Sequence, residues 1–487
     1  MPMTTQMGSG PGALATMPAN SEADAQIERR LCELATCDSA SIWEAQDELS
    51  SAIAEAGMHF EERAYPVCLR PLAISCGLAN HLSDTAEGMI TLLDVAAELY
   101  CCNEDVQDLF PAYKELRHWI ASLPQHRPIT RICRLDGLIG DDGYYKIIET
   151  NAGGPGGVVQ NGIAAKVWSR VPNPLTHGLS LDVDKQPFAK DPNCFVRELV
   201  SAYRAATARE LKTAAVVNFR GRYKNEVDWI VKGLRDIGVK ATLLDISAMK
   251  RTSRGLVGSD GELIELVYNK LDVRDVIEAV ECKDYLDACA TQEVVSINPW
   301  IAEWILSDKA ILAVLSDDRF SSNFNAEQIE FIEHHIPWTR LVRAGVTTDP
   351  EGHRIELIRY IRENKANLVL KPSNATRGEH VLVGRVTSST VWEEHIDRAA
   401  RNPYVVQEYV RPGEVTALHP PSRSIKKMLC GIDCYVFGGR LAGFQSRASF
   451  DAVMNVGRSG ILLPVATDLI STWACQDVTP VKSSGFE

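Results

Sequence analysis

The stretch that most constrains this chain is Lys146–Gly157, KIIETNAGGPGG. Its first half is an apolar run with β-branched residues, and four glycines and a proline fall in the six residues after Asn151. Glycine weakens strand pairing and proline removes a backbone donor, so the run has to end as a strand and leave through nearly bare backbone. Upstream, ITRICRLDGLIG is joined to it by Asp141-Asp142-Gly143, a hairpin-turn signal. The expected unit is an antiparallel strand pair that empties into a glycine loop. Side chains alternate along a strand, so Glu149 and Asn151 are expected on one face, where two oxygen ligands suit a hard cation.

A chain of 487 residues has room for two or three domains around such a unit. Its 51 Lys and Arg against 64 Asp and Glu give a net charge of -13, which argues against a binder of nucleic-acid backbones. The 13 cysteines are scattered, include the neighbours Cys101 and Cys102, and form no C-x-x-C pair. They read as reduced thiols rather than as a disulfide framework or a zinc ribbon. No apolar run approaches a membrane span, and residues 1–20 lack the basic and apolar regions of a signal peptide. The expected setting is cytoplasmic. Gly8–Ala13, GSGPGA, has the glycines of a dinucleotide fingerprint without the strand before or the helix after that the fingerprint needs.

Periodicity divides the rest. Spacings of three and four make residues 21–125 a helical region between a disordered tail, 1–20, and a strand-rich part, 126–199, that holds the Glu149 strand. TAAVVNFRGRYKNEVDWIVKGLRDIGVKATLLDI alternates strand, helix and strand, so 200–300 reads as a small parallel α/β domain suited to binding substrate. Residues 301–470 mix helices with more strands, and 471–487 form a second tail.

Candidate binding residues concentrate in that last third. Lys371 closes the apolar run Asn367–Pro372 and precedes a polar loop returning through Val381–Gly384, an arrangement that suits a phosphate clamp. Lys309 starts a helix upstream; either lysine alone also reads as a solvated residue at an element end. Tyr404–Val410, YVVQEYV, can read an adenine edge through its backbone while apolar side chains sandwich the ring. Arg222 and Asn225, opening a helix after a strand, suit an anion at a helix N-terminus. Asn455 and Arg458 in NVGRSG are candidates for closing a site over a second substrate. His334 and His335 are adjacent, point apart in regular structure, and are read as structural.

The order of Lys309, LVLKP with its loop, VVQEYV and a hairpin with Arg447 resembles the nucleotide-binding half of ATP-grasp ligases. In the usual order the metal strand comes last, whereas Glu149-Thr-Asn151 comes first here. That order resembles the circularly permuted ATP-grasp proteins, the group that includes eukaryotic-type glutathione synthetase, from about Arg131 to Val465. The resemblance implies a permuted ATP-grasp fold of α/β (α+β) class with an inserted α/β substrate domain. It makes Glu149 and Asn151 magnesium ligands and Lys309 and Lys371 phosphate contacts. Gln407, Glu408, Tyr409 and Val410 become the adenine hinge, and Arg134, next to Asp136, an acceptor-substrate contact. Gly153, Gly154, Gly156 and Gly157 become a substrate loop, and Arg447 a substrate- or phosphate-binding arginine. In the phosphate loop Asn374 stands where the family has an acidic ligand and Arg377 replaces a glycine before Gly378.

The implied reaction is ATP- and Mg2+-dependent joining of a carboxylate to an amine, both from amino acids or small peptides, through an acyl phosphate. The glycine loop would present N–H groups to its developing charge. A small-molecule phosphotransferase and an ATP-binding protein that has lost catalysis are the alternatives. Neither nucleic acid nor membrane is an expected partner, and the resemblance allows a homodimer.

Overall fold

The structure is a computed structural model and describes residues 21–60, 63–120, 123–124, 126–183, 185–221, 224–272, 276, 282–376, 378–454 and 460–469. Helices α1 (Glu22–Cys37), α2 (Ser39–Glu55) and α3 (Cys76–Cys102) open it. Each begins at a residue whose side-chain oxygen accepts a first-turn N–H, namely Ser21, Asp38 and Ser75. The helical reading of 21–125 misses Leu72–Ser75, a strand that runs parallel to Val465–Asp468. All four of its residues are buried, so it lacks the alternation that marks a half-exposed strand.

The strands that carry the site follow. They are β1 (Ile132–Ile139), β2 (Tyr145–Asn151), β3 (Thr213–Asn218), β4 (Lys240–Asp245), β5 (Leu266–Asn269) and β6 (Val295–Ile297). Next come β7 (Thr339–Leu341), β8 (Leu368–Pro372), β9 (Leu382–Val383) and β10 (Tyr404–Glu408). The last are β11 (Gly413–His419), β12 (Ser424–Phe437), β13 (Arg440–Ser449) and β14 (Ile461–Leu463). Helix α4 (Lys224–Asp236) joins β3 to β4, and α5 (Ala310–Ser316) starts at Lys309.

These strands form three of the sheets among the described residues. The central one has the order β14-β13-β12-β1-β2, with β11 also on β12, so an early hairpin and a late one lie side by side. Its inner face, including Leu135, Tyr145, Ile147, Cys434 and Phe444, is buried, and α3 packs against β12 and β13. The second sheet, β7-β10-β8-β9, has its own core around Trp338, Leu370, Trp392 and Val406. The third, β6-β5-β3-β4, is parallel throughout. There β3 continues to β4 on one side and β5 to β6 on the other, so the strand order reverses between β3 and β5. No helix among the described residues is long and apolar enough to cross a membrane.

Candidate functional site

A β-bulge aims the site. On β2, Glu149 pairs with Asp136 and Ile147 with Gly137, so Ile148 is an extra residue inserted between the partners of two consecutive residues of β1. Strict alternation would put Glu149 on the buried face with Tyr145 and Ile147. The bulge shifts the phase by one, so Tyr145, Ile147 and Thr150 are buried while Glu149 and Asn151 are half-exposed. The same register brings Arg134 opposite Asn151, and β12 brings Asp433 opposite Asp136.

The polar face holds two carboxylates between two guanidiniums. Arg134 chelates Asp136 through Nε at 2.6 Å and Nη2 at 3.0 Å. Arg447, 311 residues from Asp136 in sequence, donates through Nη2 to Asp136 at 2.7 Å and to Asp433 at 2.8 Å. Burial opposes ionisation of Asp136, but the two guanidiniums outweigh it and hold its carboxyl below the usual range. At Asp433 burial wins over Arg447, and the neighbouring Asp136 adds to it, so this carboxyl titrates above the usual range. An ionised Asp136 accepts hydrogen bonds and donates none. The amide of Asn151 therefore turns its NH2 toward it, at 3.0 Å, and its carbonyl oxygen the other way. That orientation, beside the Glu149 carboxylate, is what an oxygen-liganded divalent cation requires, so Glu149 and Asn151 fit Mg2+. Asn374, half-buried, offers only a neutral oxygen to such a set.

Both lysines reach Glu149 and its strand from the second sheet's side. Lys309 Nζ lies 3.1 Å from Glu149 Oε1 and donates to the Ala375 carbonyl at 2.7 Å. Lys371 Nζ donates to Gln407 Oε1 at 2.6 Å and to the Ile148 carbonyl at 3.3 Å, across the junction of the two sheets. Burial pulls the Lys371 ammonium down to about 8, with Glu149 opposing. Gln407 is thus engaged by its side chain, its Nε2 donating to Thr339 Oγ1. At the strand's end Glu408 N donates to the Trp338 carbonyl and Tyr409 N to that of Asn367. The Arg385 guanidinium lies over the Tyr409 ring, 3.9 Å from its centroid. Of the four hinge residues, Val410 alone has a backbone N–H with no partner among the described residues.

The glycine loop is fastened from both sides. Ala152 N and Gly153 N donate to Ser307 Oγ, while Gly157 N and Val158 N donate to Glu226 Oε1 at 2.7 and 3.0 Å. The expectation that Gly153 and Gly157 offer their N–H groups to a substrate is therefore corrected: protein oxygens hold both. Among the described residues the N–H groups of Gly154 and Gly156 are the open ones. Gly154 has φ +61°, and a Cβ there would lie 2.6 Å from the Asn269 carbonyl oxygen. Arg134 Nη1 and Tyr435 OH both donate to the Gly156 carbonyl.

Other residues named from the sequence fall elsewhere. Asn225 is exposed, and the start of α4 is taken up by Glu226, whose carboxylate serves the glycine loop. Arg222, Arg377, Asn455 and Arg458 lie outside the described residues. Gly378 has φ +67° and sits against Val453. His335 Nδ1 donates to the Tyr145 carbonyl and the His334 ring lies tilted against Tyr144. Sequence reasoning missed Asp433, Ser307, Lys270 and the buried trio Asn161, Tyr435 and Gln445. It also missed Tyr65, within electrostatic reach of Glu226, Arg134 and Arg447, whose hydroxyl is pushed up by burial. The signal that could have found two of them is the i, i+2 spacing of Asp433 and Tyr435 along β12.

Neither a protein-family model nor a curated protein sequence matches the chain. Among solved structures it is similar to a glutathione synthetase like-effector from Globodera pallida in apo form. The TM-score is 0.58 at 15% identity, over 87% of this chain and 96% of that one. Further matches are a RimK domain ATP-grasp protein from Sphaerobacter thermophilus (TM-score 0.24, 13% identity, 52% of this chain and 90% of that one) and D-alanyl-alanine synthetase A from Vibrio cholerae (TM-score 0.24, 10% identity, 53% and 89%). The chain has a mixed α/β fold that it shares over most of its length with the effector.

Proposed function

We propose that this chain is an ATP- and Mg2+-dependent ligase that joins a carboxylate to an amine. The observation that carries the reading is the meeting of Lys309 and Lys371 with Glu149 where β2 abuts β8. Two buried cations facing a carboxylate that is aimed by a bulge match the needs of a nucleotide triphosphate tail better than those of a structural core. The place of β1 and β2 beside β12 supports reading the chain as circularly permuted.

In this reading Val410 meets the adenine edge with its N–H, and Lys309 and Lys371 hold the phosphates. Glu149 and Asn151 would hold Mg2+, which when bound neutralises charge on the phosphate oxygens. Arg134 and Arg447, oriented by Asp136 and Asp433, face the acceptor carboxylate. Its oxygen forms a bond to the terminal phosphorus as the bond to the leaving ADP oxygen breaks. An amine then attacks the acyl carbon, phosphate leaves, and the amine nitrogen loses a proton. The substrates we favour are amino acids or small peptides.

The test is ADP release with ATP and Mg2+ across amino acids singly and in pairs, with mass spectrometry of the products. A pair that yields ADP and a product of the two masses minus water supports the ligase. ADP release with one substrate and a stable phosphorylated product moves the assignment to a phosphotransferase.

A further inference from the structure

The parallel sheet holds the glycine loop through an ion pair that the proposed chemistry does not use. Lys270, directly after β5, is 2% exposed, and its ammonium lies 2.7 Å from Glu226 Oε2 in the first turn of α4. The same ammonium donates to the carbonyls of Gly154 at 2.8 Å and Pro155 at 2.7 Å. Glu226, through its other oxygen, accepts from Gly157 N and Val158 N. One charge thus grips two carbonyls on the first limb of the loop and its partner grips two amides on the second. Both bind backbone groups of the loop rather than its side chains.

A loop with four glycines loses more conformational freedom on ordering than a loop of the same length without them. Buried charges strengthen the hydrogen bonds they make, and removing one partner of such a pair leaves the other buried and unpaired. Glu226 and Lys270 come from the carboxyl ends of β3 and β5, where the direction of strand connection reverses. We propose that Glu226 and Lys270 are positioning residues: a buried clamp by which the parallel domain sets the shape of the glycine loop for the substrate carboxylate. In its consequence for turnover this rests on the ligase reading; in its consequence for the loop it does not.

The experiment compares Lys270→Met, Glu226→Gln, the double variant E226Q/K270M and the conservative Lys270→Arg by hydrogen exchange with mass spectrometry. Peptides covering 152–158 are read against peptides from β3–β6 and β12. In K270M and the double variant, exchange in 152–158 is expected to rise by about tenfold or more, with the reference peptides unchanged and K270R close to wild type. Nucleotide affinity should stay within about twofold, while kcat/KM for the carboxylate substrate falls by about 100-fold, mostly in KM. The double variant leaves no unpaired charge and covers the case in which K270M does not fold. Unchanged exchange in 152–158, or an equal rise throughout β3–β6, overturns the clamp. If the wild type releases no ADP with any carboxylate, the ligase reading fails, and the exchange result still decides the clamp.

Discussion

Replacing Lys371 tests the site most directly, because burial has set this group apart from an ordinary lysine. The residue is 7% exposed, and burial lowers its ammonium from 10.5 to about 8. That gap corresponds to about 3 kcal/mol against the charged form in the folded chain. Between these values the unfolded chain binds more protons, so Lys371 costs stability below about pH 8 and this cost is relieved as pH rises toward 10.5. Nucleotide binding has the opposite trend. Phosphate oxygens supply the missing counter-charge, so binding above pH 8 requires uptake of a proton, and the apparent affinity falls about tenfold between pH 7 and pH 9. The assay is titration calorimetry with a non-hydrolysable ATP analogue and Mg2+ at pH 7, 8 and 9, in buffers of different ionisation enthalpy. Lys371→Arg keeps its charge throughout and should show no such fall. Lys371→Met should melt higher than wild type at pH 7 and bind nucleotide weakly. A wild-type slope equal to that of K371R, with no proton uptake at pH 9, would refute the argument.

Glu149→Gln removes the one carboxylate of the fitted cation site, and ADP release at fixed Mg2+ should drop by about 100-fold or more; turnover intact at saturating Mg2+ would sink that assignment. Asp136→Asn leaves two guanidiniums with half their counter-charge and should cost about 3–5 kcal/mol in denaturant unfolding at pH 7. Since its folded pKa is lowered, the Asp136 contribution is full above about pH 4 and is lost as pH falls further, so the two proteins should converge in acid. Gly154→Ala forces a Cβ to 2.6 Å from the Asn269 carbonyl at φ +61°, whereas at Gly156 the nearest atom is Arg134 Nη1 at 3.9 Å. The first should lose about 1–3 kcal/mol and the second under about 1 kcal/mol; equal losses would mean that backbone conformation does not govern the loop.

Much of the scaffold was legible because its signals are local. Asp141-Asp142-Gly143 between two apolar runs is a local hairpin signal, and the continuous apolar run that ends at Lys371 and Pro372 marks a strand exit without any long-range information. The β-α-β pattern of β3, α4 and β4 likewise follows from a switch of period. The strand Leu72–Ser75 was not legible, since burial on both faces erases the periodicity on which such a reading depends.

The sequence by itself determined where strands end, where the glycine loop lies and which lysines stand at element ends, for these follow from neighbours within a few residues. Tertiary structure alone decided that Glu149 faces the lysines. Strict alternation would have buried it beside Ile147, and only the pairing of β2 with β1 puts the extra residue at Ile148. It also decided that Asp433 and Arg447 flank Asp136, and that Glu226 and Lys270 hold the loop from another sheet. Those contacts join residues far apart in the chain, and their register is set by which faces are buried, a property that no local pattern encodes.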